Sequence, residues 1–523
     1  MNGHALGRMS AAREENEGLL DRPSSPTPDV EHRRSNDGIL TFHRRFATST
    51  VTDYIKSPME AVRTTQWRAL IARIAWFCVP SFLQGRHMRE QIRPAKLSKT
   101  AYLDGVRGLA SFFVFFCHTT IYGWVINRGW GYHDYYYGFF RLPFVRLWYA
   151  GPPAVSIFFV ISGYALSYKP IRLIRSGKTL DFSLTMSSMT FRRALRLFIP
   201  TMVSTFLIVC LIRLGAFEMS REIVKNKKYF RHWVESIPRR PDSAFVHFQQ
   251  WAYHIYYAFK VFDFKTRGAL TKYDVHLWTI PVEYRCSLYL FVVLLGTARL
   301  KTMWRALTVF GILCVTIRQN RWDFALFLCG MCLAEWDHIR GAHVTAPALP
   351  VVDEKQVRTS GRLGPIFWNL VSIVGLYFMS QPDGGGEETP GWIFLTSLIP
   401  KWWEAPYRYY QSIGAVIFLL AAGYSTFWQR FFNSGFIQYL GKISYSLYLV
   451  HGPVMRIFGF HLMTLAWNIT GVEGKWYDAG FALGMMLSLP VVITFADMFW
   501  RGVDMPSVKF ARWFEGKVSV KSD

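Results

Sequence analysis

Apolar runs separated by short charged loops set the pattern of this chain from about residue 100 onward. Ten of them, at 103–122, 151–168, 196–214, 277–295, 303–317, 322–335, 365–379, 412–427, 439–463 and 479–500, are candidate membrane-spanning helices. A span needs about 20 mostly apolar residues to cross the hydrocarbon core, and the fifth to eighth runs barely reach that length. The pattern predicts an all-α, polytopic integral membrane protein with about ten transmembrane helices. Ahead of the runs, residues 67–84 (WRALIARIAWFCVPSFLQ) place Trp67, Leu70, Ile74 and Phe77 near one helical face but also carry Arg68, Arg73 and Pro80. They predict an interfacial amphipathic helix, joined to the bundle by a linker that ends near residue 100.

Residues 1–66 are polar and Pro/Ser-rich and read as a disordered cytoplasmic tail with no cleavable signal peptide. Targeting then falls to the first span; Glu15, Leu19 and Leu20 form a dileucine-like pattern too short to carry weight. The transmembrane domain is expected over 101–506, with a long non-cytoplasmic loop at 215–276 and a cytoplasmic tail at 507–523.

Composition agrees with this pattern. Of 523 residues 51% are apolar and 17% aromatic, while 18% are charged; soluble domains carry about 25% charged residues. A nucleic-acid binder could share the net charge of +25, but not the apolar runs. With the N-terminus placed in the cytoplasm, the short inside loops and their flanks carry Lys169, Arg172, Arg175, Lys178, Arg192, Arg193, Arg299, Lys301, Arg340, Lys355, Arg358, Arg362 and Arg430. The short outside loops carry fewer cations, which is the positive-inside bias, and ten spans put both termini in the cytoplasm. The basic 215–276 loop runs against the trend, as long loops can. The sequon Asn468-Ile469-Thr470 falls in an outside loop. Seven cysteines lie mostly inside apolar runs, and the Cys329/Cys332 pair has no second pair beside it; neither a disulfide framework nor a metal site is expected.

An ionisable residue inside a span is expensive and by default functional. The first span holds Asp104, Arg107 and His118. A step of eleven residues is three turns plus about 20°, so Arg107 and His118 share a face about 16 Å apart along the axis, with Asp104 and Ser111 nearby. Each has a plainer reading: an Asp104–Arg107 pair at the cytoplasmic end, and an interhelical hydrogen bond for His118. Ser162 and Gly163 in FFVISGY (158–164) also suit close helix packing. Arg192, Arg193 and Arg196 in FRRALRLFIP either anchor the third span to anionic lipid or bind phosphate. Glu283 lies early in the fourth span, and Ser444, Tyr448 and His451 share a face of the ninth.

In this order the segments resemble the membrane-bound acyltransferase-3 family, from about residue 102 to 506. Arg107 and His118 match its R-x10-H signature; FFVISGY matches F-F-x-x-S-G-[FY]; FRRALRLFIP matches its arginine-rich segment. Trp278, Thr279 and Glu283 match W-[ST]-x-x-x-E, and Ser444, Tyr445, Tyr448, Leu449, His451 and Pro453 match S-Y-x-x-Y-L-x-H-x-P. The chain departs where Asp504 and Pro506 replace the usual E-x-P element, and in the length of the aromatic 215–276 insertion.

The resemblance implies transfer of an acyl group, usually acetyl, from cytoplasmic acyl-CoA to an acceptor hydroxyl, a carbohydrate or a small secondary metabolite. Acyl-CoA would be a co-substrate, with no permanently bound cofactor or metal. His118 suits the general base, or a transient acyl carrier. Arg107 could meet a CoA phosphate or the developing oxyanion, and Arg192, Arg193 and Arg196 the phosphates. Glu283 and His451 would orient acceptor or base; Asp104, Ser111, Ser162 and Tyr448 are substrate-side candidates. A membrane transporter of a small anionic or acylated solute also needs buried Asp, Arg, His and Glu, but no inverted repeat is visible. The expected location is an endomembrane or the plasma membrane.

Overall fold

A computed structural model of the protein describes residues 66–85, 97–234, 236–258, 260–262, 273–342 and 363–520. These residues fall into two units, 66–85 in one and the described residues from 97 onward in the other. In the first, α1 (Gln66–Cys78) leaves Leu70, Ile71, Ile74, Trp76 and Phe77 exposed. The expected tail lies outside the described residues, apart from Gln66, which opens α1.

The second unit is helical, and no strand occurs among the described residues. Its helices are α2 (Ala101–Thr120), α3 (Gly151–Arg175), α4 (Thr179–Arg213), α5 (Glu218–Ile223), α6 (Ala244–Ala258), α7 (Thr279–Thr297), α8 (Thr302–Arg318), α9 (Trp322–Ile339), α10 (Leu363–Met379), α11 (Ile393–Ser397), α12 (Tyr407–Tyr424), α13 (Thr426–Phe432), α14 (Gly435–Val454), α15 (Phe460–Thr470), α16 (Lys475–Phe499) and α17 (Met505–Val518). Every expected run falls largely on one of them, and a π turn at Met455–Gly459 carries α14 into α15. The protein is an all-α polytopic membrane protein.

The number of crossings is another matter. Gly151–Arg175, Thr179–Arg213, Val275–Thr297 and Lys475–Val518 are long and apolar enough to cross a bilayer, and α12 with α13, bent by 97°, would make a fifth. Helix α2 falls short because its 20 residues carry Asp104, Arg107 and His118. Helices α8 and α10 have 17 residues each.

Glycines bring backbones together at three seams, as small residues do between membrane helices. A Cβ on Gly108 of α2 would lie 2.3 Å from the Gly441 nitrogen of α14, and one on Gly441 would lie 2.5 Å from the Asp104 oxygen. Gly163 of α3 and Gly330 of α9 abut each other's helix in the same way, as do Gly375 of α10 and Gly414 of α12. Helices α2 and α14 run parallel: Arg107 bonds Ser444 near their starts, and His118 stacks near His451 toward their ends.

Two segments expected as loop or tail are built into this unit. Part of 215–276 folds into α5 and α6, and Trp251 of α6 donates from Nε1 to Thr205 Oγ1 of α4 at 3.1 Å. Most of the expected 507–523 tail belongs to α17, where Phe514 stacks on Phe191 of α4.

Candidate active site

The parallel α2–α14 seam carries His118 and His451 to one end of the bundle. The short 3-10 turn Val275–Trp278 that leads into α7 adds His276. The His118 ring lies 3.8 Å from that of His276 and 5.5 Å from that of His451, and the latter two are 4.7 Å apart, centroid to centroid. His276 and His451 are almost fully buried, whereas His118 is only half-buried. His118 is therefore the member of the cluster that an incoming molecule can reach.

The buried pair is oriented from behind. Asp274 Oδ1 lies 2.6 Å from His276 Nδ1 and accepts the His276 backbone N–H at 3.0 Å. Burial alone would push the Asp274 carboxyl up, but His276, Arg456 and His451 outweigh it and hold it at about 2. An ionised Asp274 fixes the proton of His276 on Nδ1 and turns Nε2 the other way. His451 Nδ1 donates to the Tyr448 carbonyl at 2.8 Å, which fixes its tautomer likewise. Arg456 donates to the Tyr273 carbonyl at 2.9 Å, and Ser220 Oγ donates to the Arg456 carbonyl. Gly452 permits the close approach: a Cβ there would stand 3.1 Å from both Asp274 Oδ2 and His276 Nδ1.

Asp274 and His276 escaped the sequence reading. The available signal was an Asp-x-His step directly before Trp278, but it lies outside the apolar run, where a polar residue costs nothing and attracts no notice.

Ring nitrogens of the three histidines lie within 4.8 Å of one another and could in principle hold a metal ion. Tetrahedral zinc with nitrogens at about 2.0–2.1 Å sets imidazole centroids about 5 Å apart. Two of the three separations suit that, but the 3.8 Å between His118 and His276 does not. The cluster joins the Asp274–His276 hydrogen bond to ring contacts with His118 and His451.

A second set of groups lies near the starts of α2 and α14 and on α3, α4, α7 and α17. Arg107 donates from Nε to Ser444 Oγ at 3.1 Å and from Nη2 to the Gly441 carbonyl at 3.3 Å, and it pairs with Asp104 at 3.2 Å. Buried Arg193 pairs with Glu283 Oε1 at 2.7 Å and donates to Ser287 Oγ at 3.0 Å. Ser162 Oγ donates to the same Glu283 oxygen at 2.9 Å. Arg192 Nε pairs with Glu515 of α17 at 3.1 Å. The charges of Arg196 and Arg107 both act on Asp504. A small, partly open pocket where α3, α4 and α17 meet is lined by Leu166, Met189, Arg192, Arg193, Arg196, Val508, Ala511 and Arg512.

The expected site residues thus divide between two places. His118 and His451 stand together with His276. Arg192, Arg193 and Arg196 line one pocket. Glu283, expected to orient acceptor or base, is part-exposed, pairs with Arg193 and accepts from Ser162. Tyr448 braces the turn: its hydroxyl lies 2.6 Å from Thr279 Oγ1 and donates to the His276 carbonyl. Ser111 donates to the Gly108 carbonyl of its own helix at 2.7 Å and is buried.

A family profile described as an acyltransferase domain matches residues 100–500. The chain is 30% identical to "O-acetyltransferase PaAT-1" of Phomopsis amygdali over 455 residues, 83% of this chain and 87% of that protein. It is 26% identical to "Acyltransferase R4" of a Phoma species over 472 residues, 82% of this chain and 98% of the other. With "Acyltransferase clz18" of Cochliobolus lunatus it shares 27% over 473 residues, 81% and 97% of the two chains. No solved structure matches the chain.

Proposed function

The chain belongs to the acyltransferase-3 family of membrane acyltransferases, and from that premise we propose that it moves an acyl group from acyl-CoA to a hydroxyl of a carbohydrate or a small secondary metabolite. Acetyl is the group we assign, in keeping with the name of the Phomopsis amygdali relative, an O-acetyltransferase. Family membership makes the protein an enzyme, so the transporter reading is not retained. We place it in an endomembrane or the plasma membrane with both termini in the cytoplasm, on the loop charges.

The single observation that supports the chemistry best is half-buried His118 against the Asp274–His276 pair. An alcohol is a weak nucleophile at neutral pH, and an imidazole held in one tautomer is a suitable base. In this reading the acceptor hydroxyl bonds to His118, which takes its proton as the oxygen attacks the thioester carbonyl. The tetrahedral intermediate collapses, the C–S bond breaks, and the leaving thiolate takes the proton from the His118 imidazolium. Asp274 and His276 position the His118 ring and favour its charged form; His451 closes the other side. Arg107 lies about 16 Å along α2 from His118, too far for the oxyanion, so it belongs with Arg192, Arg193 and Arg196 at the phosphate end. No permanently bound cofactor enters the scheme.

The test uses purified protein in nanodiscs with radiolabelled acetyl-CoA and pools of hydroxylated acceptors. Wild type should consume the donor and label an acceptor. His118→Ala should lose about 100-fold or more while unfolding at the wild-type temperature. Substantial transfer by a folded His118→Ala protein would remove the base assignment, and label on the protein without acceptor would point to acyl-histidine instead.

A further inference from the structure

The arginine pocket has one wall that the acyltransferase reading does not require. That wall is α17, which follows the π turn Trp500–Asp504 and lies against α4 through the Phe191–Phe514 stack. Val508, Ala511 and Arg512 of α17 face the pocket together with Arg192, Arg193 and Arg196 of α4. Arg512 and Glu515 are three residues apart and so neighbours on one face of the helix.

The four guanidinium groups are not equivalent. Arg193 is 5% exposed and doubly held by Glu283 and Ser287, so its charge is committed within the bundle. The charge of Arg196 acts on buried Asp504. The Arg192–Glu515 pair differs: its side chains are 20% and 21% exposed, it meets through Nε at 3.1 Å, and it joins two separate helices at the pocket. A part-exposed pair of this kind holds weakly. A phosphate offers more acceptor oxygens and more charge than a carboxylate, and several guanidinium groups can grip it at once.

We infer that α17 forms part of the binding site for the acyl donor's phosphates: Arg512 and Arg192 clamp a diphosphate from facing helices, and Glu515 is the internal anion that the diphosphate displaces from Arg192. The inference rests on the acyl-CoA reading and deepens it. No covalent bond changes; one carboxylate leaves Arg192 and a phosphate oxygen takes its place. Glu515 keeps the clamp closed when no donor is bound and competes with the donor for it.

The experiment uses the full chain in phosphatidylcholine nanodiscs and two variants on α17, Arg512→Gln and Glu515→Gln, each checked for wild-type thermal unfolding. Binding of inorganic pyrophosphate is measured by calorimetry, and KM for acetyl-CoA is compared with KM for S-acetylpantetheine, which lacks the nucleotide diphosphate. Arg512→Gln should raise the acetyl-CoA KM about tenfold or more, the loss of a hydrogen bond to a charged group, and weaken pyrophosphate to match. It should leave kcat and the acetylpantetheine KM unchanged. Glu515→Gln should lower the acetyl-CoA KM and tighten pyrophosphate. Glu515→Gln that weakens binding, or Arg512→Gln that raises both KM values equally, overturns the inference. Wild type that consumes acetyl-CoA while both variants match it overturns the inference alone; wild type that neither binds pyrophosphate nor consumes acetyl-CoA overturns the donor reading as well. Pyrophosphate binding lost in phosphatidylglycerol nanodiscs would assign the clamp to a lipid headgroup and refute the donor assignment.

Discussion

Replacing Asp274 by Asn isolates the charge behind the histidine cluster. Asp274 and His276 side chains are 0% and 2% exposed and 2.6 Å apart, so their hydrogen bond is formed out of water. Asn keeps an acceptor for the His276 backbone N–H, which Asp274 now bonds at 3.0 Å, and preserves the turn. What is lost is the charge. A hydrogen bond to a charged group contributes about 1.5–3 kcal/mol and a neutral one about 0.5–1.5. The difference of about 1–2 kcal/mol corresponds to about 5- to 30-fold in rate. If the amide nitrogen rather than its oxygen faces the ring, His276 changes tautomer and the loss approaches the ~10⁴-fold seen when the aspartate of a serine-protease triad is amidated. The expected result is therefore at least a fivefold fall in kcat with KM for acetyl-CoA unchanged, because the arginine pocket is untouched. Steady-state kinetics on nanodisc protein give both parameters, and thermal unfolding controls for folding. A kcat within twofold of wild type in a stably folded variant would refute the claim that the Asp274 charge acts through His276 on the base. Equal changes in kcat and donor KM, with a lowered unfolding temperature, would reduce Asp274 to a structural role.

Gly108→Ala places a methyl group 2.3 Å from the Gly441 nitrogen. The α2–α14 seam must open, at an overpacking cost of about 1–3 kcal/mol or more, seen as a lower unfolding temperature and loss of activity together. Tyr448→Phe removes the hydroxyl that braces Thr279 and the His276 carbonyl. At about 1 kcal/mol for each of the two hydrogen bonds, kcat should fall up to about 30-fold without a change in donor KM. Preincubation with EDTA or 1,10-phenanthroline should leave transfer within twofold of untreated enzyme, given the 3.8 Å His118–His276 separation; loss restored by added zinc would make the three histidines ligands.

The helices and one polar stripe were legible because both depend on local periodicity. Apolar runs announce helices, and the eleven-residue step from Arg107 to His118 fixes a shared face without reference to the rest of the chain. The number of crossings was not legible from the runs alone, since Asp104, Arg107 and His118 lower the hydropathy of α2. Asp274 and His276 were hidden because their importance comes from contact with His451 and Gly452, more than 170 residues away. The partners of the arginines were hidden for the same reason: Arg193 and Glu283 are 90 residues apart, and only folding brings them together. Helix α17 read as a tail because it is short and rich in charge, and its place beside α4 depends on Phe514, Ala511 and Glu515 meeting residues of another helix.

The parallel register of α2 and α14 explains why two chemically distinct sets of groups stay a fixed distance apart. Arg107 is tied to the Gly441 carbonyl, and His118 stacks near His451. From Arg107 to His118 is eleven residues and from Gly441 to His451 is ten, so at about 1.5 Å per residue the helices rise by about 16 and 15 Å between the two meeting points. The glycine seam between them leaves almost no freedom to slide. On the proposed acyl-CoA reading, a donor gripped by its diphosphate at the arginine end would have to extend a long arm to bring its thioester to His118, and the two helices would set the length of that arm. Binding energy gained at the phosphates, remote from the bond that breaks, then holds the thioester against the base, where proximity rather than affinity sets the rate. On that proposal the bundle is a spacer, and the close glycine contacts between α2 and α14 fix the reach of the reaction.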